Sequence, residues 1–140
     1  MKKIIYVLGI IVVAISIVVL LQVKNETNVI YHITLADPKL YNNGIFTDSF
    51  KIQKGIYQFS FVPNGDSPQN LSISLKGDLF SYNEDFKLQG TIHKTGISSY
   101  YTWDYQGNKK IEIPQDQEIQ IKINPHGNVL GSLSADLRKL

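Results

Sequence analysis

The sequence contains no cysteine among its 140 residues. This absence excludes disulfide bonds, thiolate nucleophiles, iron–sulfur clusters and any zinc or copper site that needs a cysteine ligand. It also excludes the lipid-modified cysteine that anchors a bacterial lipoprotein. A domain of this kind must be held together by side-chain packing and by the hydrogen bonds of its secondary structure.

The chain also lacks a charge excess outside its first three residues. It has 14 basic and 12 acidic residues, and two of the basic ones, Lys2 and Lys3, precede a long apolar stretch. The remaining basic residues therefore balance the acidic ones. Because phosphate binding depends on clustered Lys and Arg, we expect no nucleic-acid partner.

Familiar catalytic signatures are missing as well. The sequence has no Gly-x-Ser-x-Gly, no phosphate-binding loop and no His-Glu-x-x-His. Its acidic residues lie mostly in predicted turns and form no Asp-x-Asp-x-Asp calcium string. We therefore expect a protein that is not an enzyme and that carries no cofactor.

What the chain does have is one apolar run, at residues 4–21, which reads IIYVLGIIVVAISIVVLL and contains no charge. Eighteen residues are enough to cross about 30 Å of hydrocarbon as a helix. The two lysines before the run place the N-terminus in the cytoplasm and the following domain outside. The alternative is a cleaved signal peptide, for which Ala14 and Ser16 supply the small residues.

These features divide the chain into three parts. Residues 1–23 are a signal-anchor transmembrane helix, residues 24–27 a short spacer, and residues 28–140 an extracytoplasmic domain. In an exported chain, Asn25-Glu26-Thr27 and Asn70-Leu71-Ser72 fit the N-glycosylation pattern, which makes Asn25 and Asn70 candidate acceptors.

After residue 28 the hydrophobic pattern has a period of two. Ile119, Ile121 and Ile123, for example, alternate with Gln120 and Lys122, which is typical of a strand with one buried face. Comparable runs lie at residues 29–35, 45–52, 57–61, 71–75, 86–93, 98–105, 110–113 and 129–137.

Turn signals separate these runs at intervals of roughly ten residues, among them Asn43-Gly44, Pro63-Asn64-Gly65 and Pro125-His126-Gly127. Eight or nine short strands with regular turns predict an all-β fold. We expect a two-sheet antiparallel sandwich, of jelly-roll or immunoglobulin-like type.

Two resemblances accompany this pattern. The stretch GIYQFSFVPNG at 55–65, with the strand at 71–75, resembles the start of a GOLD-type sandwich of p24-like proteins, although p24 proteins usually have a cysteine pair and a C-terminal span. FVPNGDSP at 61–68 together with YTWDYQG at 101–107 is similar to uncharacterised archaeal single-span surface proteins with a β-sandwich domain. The second resemblance implies the same topology and no catalytic residue.

The most distinctive segment is YYTWDY at residues 100–105. In a strand, Tyr101, Trp103 and Tyr105 share one face. If this face is exposed, its aromatic row can stack on sugar rings or anchor a protein partner. If the face is instead the core of the sandwich, Tyr100 and Asp104 point outward.

Three functions follow from these observations. The first is a membrane-anchored binding or structural module that contacts lipid through its helix and a protein or glycan through its domain. The second is an accessory subunit of a membrane complex, whose helix packs through the small residues Gly9 and Ala14. The third is a metal-binding sandwich that uses His32, His93 and His126, although no two of these are spaced as ligands.

Overall fold

The structure, a computed structural model, describes residues 28–140. Within this range the regular elements are nine β-strands and one 3₁₀ turn at Pro38–Leu40. The strands are β1 Val29–Leu35, β2 Phe46–Ile52, β3 Gly55–Val62, β4 Asn70–Lys76, β5 Ser81–Lys94, β6 Ser99–Gln106, β7 Lys110–Ile113, β8 Gln117–Asn124 and β9 Leu133–Lys139.

The strands form two antiparallel sheets, which confirms the predicted fold class at this level. One sheet has the order β1-β9-β3-β7 and the other has the order β2-β8-β4-β5-β6. The chain passes from one sheet to the other at every connection except β4–β5 and β5–β6. Residues distant in sequence are therefore neighbours in both sheets, as where β1 pairs with β9.

The buried faces of both sheets supply one hydrophobic core, as in a β-sandwich. In β8, Ile119, Ile121 and Ile123 are at most 1% exposed while Gln120 and Lys122 face solvent. The period-two pattern therefore predicted the buried side of this strand correctly. The aromatic part of the core consists of Phe59, Phe61, Phe86 and Tyr105, whose rings pack edge-on across the two sheets.

The predicted last strand begins too early. We expected it to include Val129, but β9 starts at Leu133. The Asn128 side chain accepts the Gly131 N–H at 2.9 Å and donates to the Asp66 carbonyl at 3.0 Å, which fixes a turn there. A Cβ on Gly131 would lie 2.1 Å from that carbonyl oxygen, so glycine is required by the close approach of the backbone.

Within residues 28–140, no helix has the length and apolar character needed to cross a membrane. The predicted anchor at 1–23, the spacer at 24–27 and the acceptor Asn25 lie outside the described residues. They stay predictions from the sequence.

Candidate functional site

Strand β5 has two different neighbours along its length. Residues Ser81 to Lys87 pair with β4, whereas Lys87 to Lys94 pair with β6. The second half of β5 therefore extends past β4 as a two-stranded hairpin with β6. We call residues 90–103 of this hairpin the β5–β6 arm.

One face of the hairpin runs continuously from the core to solvent. Its first cross-strand pair, Leu88 opposite Tyr105, is 6% and 0% exposed. Two pairs further along the same face, Ile92 lies opposite Tyr101, and these side chains are 46% and 56% exposed. The predicted aromatic row is therefore one face, but its members have different surroundings.

Tyr105 belongs to the core, which removes it from the candidate ligand-binding surface. Its hydroxyl donates to the Pro68 carbonyl at 2.6 Å, so the polar tip is satisfied although the ring is fully buried. Burial raises the pKa of the Tyr105 phenol above its ordinary value. The sequence could not separate Tyr105 from Tyr101, because both positions have the same parity in β6.

Trp103 lies between these two extremes. It is half-buried and packs against the core. Its six-membered ring lies over Gly90, the residue opposite it on β5, where a Cβ would come within 2.7 Å of the indole. On the solvent side the Tyr101 ring stacks on it with a centroid distance of 5.7 Å and an interplanar angle of 23°.

The opposite face of the arm carries a second, smaller set of contacts. Tyr100 is 54% exposed and stacks on His93 at 4.9 Å, while His93 Nε2 is 2.8 Å from the Thr102 hydroxyl. Asp104, just beyond the arm, points outward, as expected for this face, and each of its two carboxylate oxygens lies 2.8 Å from the Lys109 ammonium.

The arm also exposes aliphatic side chains that sequence analysis did not select. Ile97, in the turn between the strands, is fully exposed, and Ile92 is partly exposed. The alternation of Leu88, Gly90 and Ile92 along the predicted strand at 86–93 was the signal that could have found the second residue. Exposed apolar side chains grouped on one projection are typical of an interaction surface.

The three histidines do not converge. His32 bonds Asp136 and Thr34, His93 bonds Thr102, and His126 bonds Ser72. In the part of the chain that the structure describes, no group of three or more metal-ligating side chains is arranged around a common point.

His126 instead forms a polar cluster that the sequence did not reveal. Its Nε2 atom is 2.7 Å from the Ser72 hydroxyl, which in turn donates to the Asp85 carboxylate. A serine hydroxyl has one proton, and here that proton goes to Asp85, so His126 must be the donor to Ser72. A nucleophilic serine needs the reverse polarity, with its proton given to the histidine.

Asn70, the described glycosylation candidate, is exposed at the first position of β4 and lies opposite Lys87. The serine of its acceptor tripeptide is Ser72, whose hydroxyl is held in the polar cluster. The position is compatible with surface modification, which stays a prediction.

A surface cavity of about 610 Å³ lies where β2 ends and β8 begins. Charged side chains of both signs line it, including Lys51, Asp116 and Glu118. The Asp116 carboxylate already accepts the Lys54 N–H at 2.7 Å. The lining contains no aromatic side chain, so the arm is the stronger candidate surface.

A comparison with curated proteins finds a relative in Dictyostelium discoideum described as a UPF0538 protein. The two are 30% identical over 89 residues, which cover 62% of this chain and 72% of that protein. No family profile matches the chain, and no solved structure matches it.

Proposed function

The chain belongs to the UPF0538 protein family, and we propose that it is a membrane-anchored extracytoplasmic module that binds a protein partner through its β5–β6 arm. The family name assigns no ligand, so the proposal depends on the surface of the described domain. The observation that carries it is the row Trp103, Tyr101 and Ile92, which continues the core face into solvent.

The strand order supports this choice of surface. The sheets β1-β9-β3-β7 and β2-β8-β4-β5 follow the order of an eight-stranded jelly roll, to which β6 adds a ninth strand at one edge. We infer that the fold is of the jelly-roll type. In that case the arm is an addition to a complete sandwich, and its exposed side chains contribute little to closing the core.

The composition of the arm favours protein over glycan as the ligand. Sugar recognition combines an aromatic ring with polar side chains that bond the hydroxyl groups, whereas the exposed arm presents Ile92 opposite Tyr101 and Ile97 in its turn. Aromatic and aliphatic anchors of this kind are typical of protein contacts. A glycan ligand is the outcome that would contradict this part of the proposal.

The membrane position in this proposal depends on the apolar run at residues 4–21. We expect the full chain to stay with membranes after alkaline carbonate extraction. A variant that lacks residues 1–23 should be released into the supernatant. Release of the intact full chain would contradict the anchor.

The arm is tested by site-specific photo-crosslinking in the full, membrane-bound chain. Benzoylphenylalanine in place of Tyr101 should form a discrete protein adduct, because that side chain is at the centre of the exposed row. The matched control is the same residue in place of Ser49, which is also exposed but lies in β2, the opposite edge strand of the same sheet. Equal adducts at both positions, or glycan binding without a protein adduct, would contradict the proposal.

A further inference from the structure

The two sheets have four edge strands, and three of them carry features that discourage pairing with another chain. In β1 the register shifts between Val29 and Tyr31. Strand β7 has only four residues. Strand β2 carries Asp48 and Lys51.

The fourth edge, β6, is neither short nor interrupted by a register shift, and it has a single charged side chain. It is eight residues long, pairs with β5 without a register shift and contains neither proline nor lysine. Its one charged side chain, Asp104, is held by Lys109 of the same chain. This edge is long and regular, and it has exposed aromatic side chains beside it.

The register identifies which backbone groups face outward. At the hairpin turn the Thr95 N–H donates to the Ser98 carbonyl at 2.7 Å, so Thr95 and Ser98 are a hydrogen-bonded pair. Hydrogen-bonded and non-hydrogen-bonded pairs alternate along an antiparallel ladder. Counting from the turn, the N–H and C=O groups of Tyr101, Trp103 and Tyr105 point away from β5.

Two independent contacts agree with this count. The Leu88 N–H, in the pair opposite Tyr105, donates to the Gln69 carbonyl and therefore points away from β6. The Tyr105 N–H donates to the Asp104 carboxylate of its own strand at 2.8 Å. Asp104 thus accepts the outward N–H at one end of the edge, whereas the outward N–H groups of Tyr101 and Trp103 have no acceptor within residues 28–140.

We propose that this free edge binds β6 of a second copy of the chain, in antiparallel orientation, with a two-fold axis at Thr102. The inference depends on the proposed function, because it names the partner of the same arm. Each Tyr101 then lies opposite the partner's Trp103, and these two pairs exchange four backbone hydrogen bonds. The two five-stranded sheets become one continuous sheet of ten strands.

A second copy fits this edge better than an unrelated strand for two reasons. The pairing is isologous, which means that both chains use the same segment. The outward N–H and C=O groups of Tyr101 and Trp103 lie on both sides of Thr102, so this one segment supplies both halves of the interface. Charge also permits it, because the single acidic residue of β6 is neutralised by Lys109 before the strands meet. The paired face then carries four aromatic rings in a row, which are favourable cross-strand neighbours.

The absence of cysteine makes the register directly testable in the full chain. In Thr102→Cys the two thiols lie in a non-hydrogen-bonded pair at the axis, where Cα atoms are about 4.5 Å apart. That separation permits a disulfide. The matched control is Thr91→Cys, which is exposed and directly opposite Thr102 on β5. In the proposed dimer, the residues at position 91 of the two chains would be three strand spacings apart, at about 14 Å.

Under mild oxidation in detergent, we expect most of the Thr102→Cys chain to form a disulfide-linked dimer. Less than a tenth of the Thr91→Cys chain should form such a dimer. A second variant, Tyr101→Pro in the Thr102→Cys background, removes one outward N–H and no bond to β5. It should reduce the dimer at least fivefold while circular dichroism still shows the sheet signal.

Three results would overturn the inference: a monomeric mass by light scattering, equal cross-linking of the Thr102→Cys and Thr91→Cys chains, or no effect of Tyr101→Pro. A monomer whose position 101 still forms a photo-adduct with a different protein would overturn self-pairing and leave the proposed function standing. Loss of all adducts at position 101 would overturn both.

Discussion

Tyr101, Trp103 and Tyr105 point to the same side of one strand, yet their environments range from exposed to fully buried. The period of two predicted correctly that the three side chains share one face. The sequence of residues 100–105 alone could not predict which of them are buried. The cross-strand neighbours differ in the same way: Tyr105 lies opposite the buried Leu88, Trp103 lies opposite Gly90, and Tyr101 lies opposite Ile92, which is 46% exposed. This information comes from register, which the sequence does not state.

The contact between Trp103 and Gly90 gives a prediction at this scale. In Gly90→Ala the added Cβ would lie within 2.7 Å of the ring, so the indole must move away from the sheet. We expect a red shift of the tryptophan emission and a loss of about 1–3 kcal/mol from the free energy of unfolding. Fluorescence and urea denaturation measure the two effects.

Gly96→Ala is the matched control, since it lies in the same hairpin and a Cβ there meets nothing within 4 Å. It should leave the emission unchanged. A Gly90→Ala chain with the emission of the parent would show that Trp103 does not rest on the sheet at this point.

At the scale of the strands, β8 and the arm represent two different kinds of β-structure. β8 is paired on both sides, with β2 and β4, and its three isoleucines are buried. The arm has two strands only, and most of its side chains are exposed. The period-two rule identified both segments as strands, because alternation reports the backbone conformation and one preferred face, without reporting how many neighbours a strand has.

Amide hydrogen exchange should therefore separate the two elements. In dilute protein we expect the β5-bonded amides of Tyr100 and Thr102 to exchange at least about tenfold faster than that of Ile121, because local opening of the arm exposes little apolar surface. Nuclear magnetic resonance or mass spectrometry resolves these segments. Equal protection in both would mean that the arm opens only when the whole domain unfolds.

At the scale of the whole molecule, the sequence was sufficient for the all-β class, the two-sheet arrangement and the buried faces of the central strands. It was insufficient for the polar cluster of Ser72, Asp85 and His126, whose members come from β4, β5 and the turn after β8. Such a cluster depends on which strands are neighbours, and sheet order is not encoded in local periodicity. The anchor at 1–23 and the archaeal and GOLD-type resemblances stay predictions.

The tyrosines predict how the stability of the whole domain depends on pH. Burial is the main cause that raises the pKa of five phenols above the ordinary value of about 10, those of Tyr31, Tyr41, Tyr57, Tyr82 and Tyr105. Above that pH the unfolded chain loses these protons and the folded chain keeps them.

The folded state therefore binds more protons at high pH, and its stability must fall as the pH rises above about 10. We expect the urea midpoint to be constant between about pH 8 and 9 and to decrease clearly by about pH 11. Substituting Tyr31 by Phe should make this decrease smaller. A midpoint that is unchanged up to pH 11 would contradict the burial of these phenols.

The central claim is that a single face of the hairpin continues from the core into an exposed contact surface, and iodide quenching of the one tryptophan tests it most directly. In the full chain in detergent, the account predicts a quenching constant well below that of the urea-unfolded chain but clearly above zero. The constant should rise in Tyr101→Ala, which removes the ring stacked on Trp103. A constant equal to that of the unfolded chain, a constant of zero, or no response to Tyr101→Ala would contradict the account.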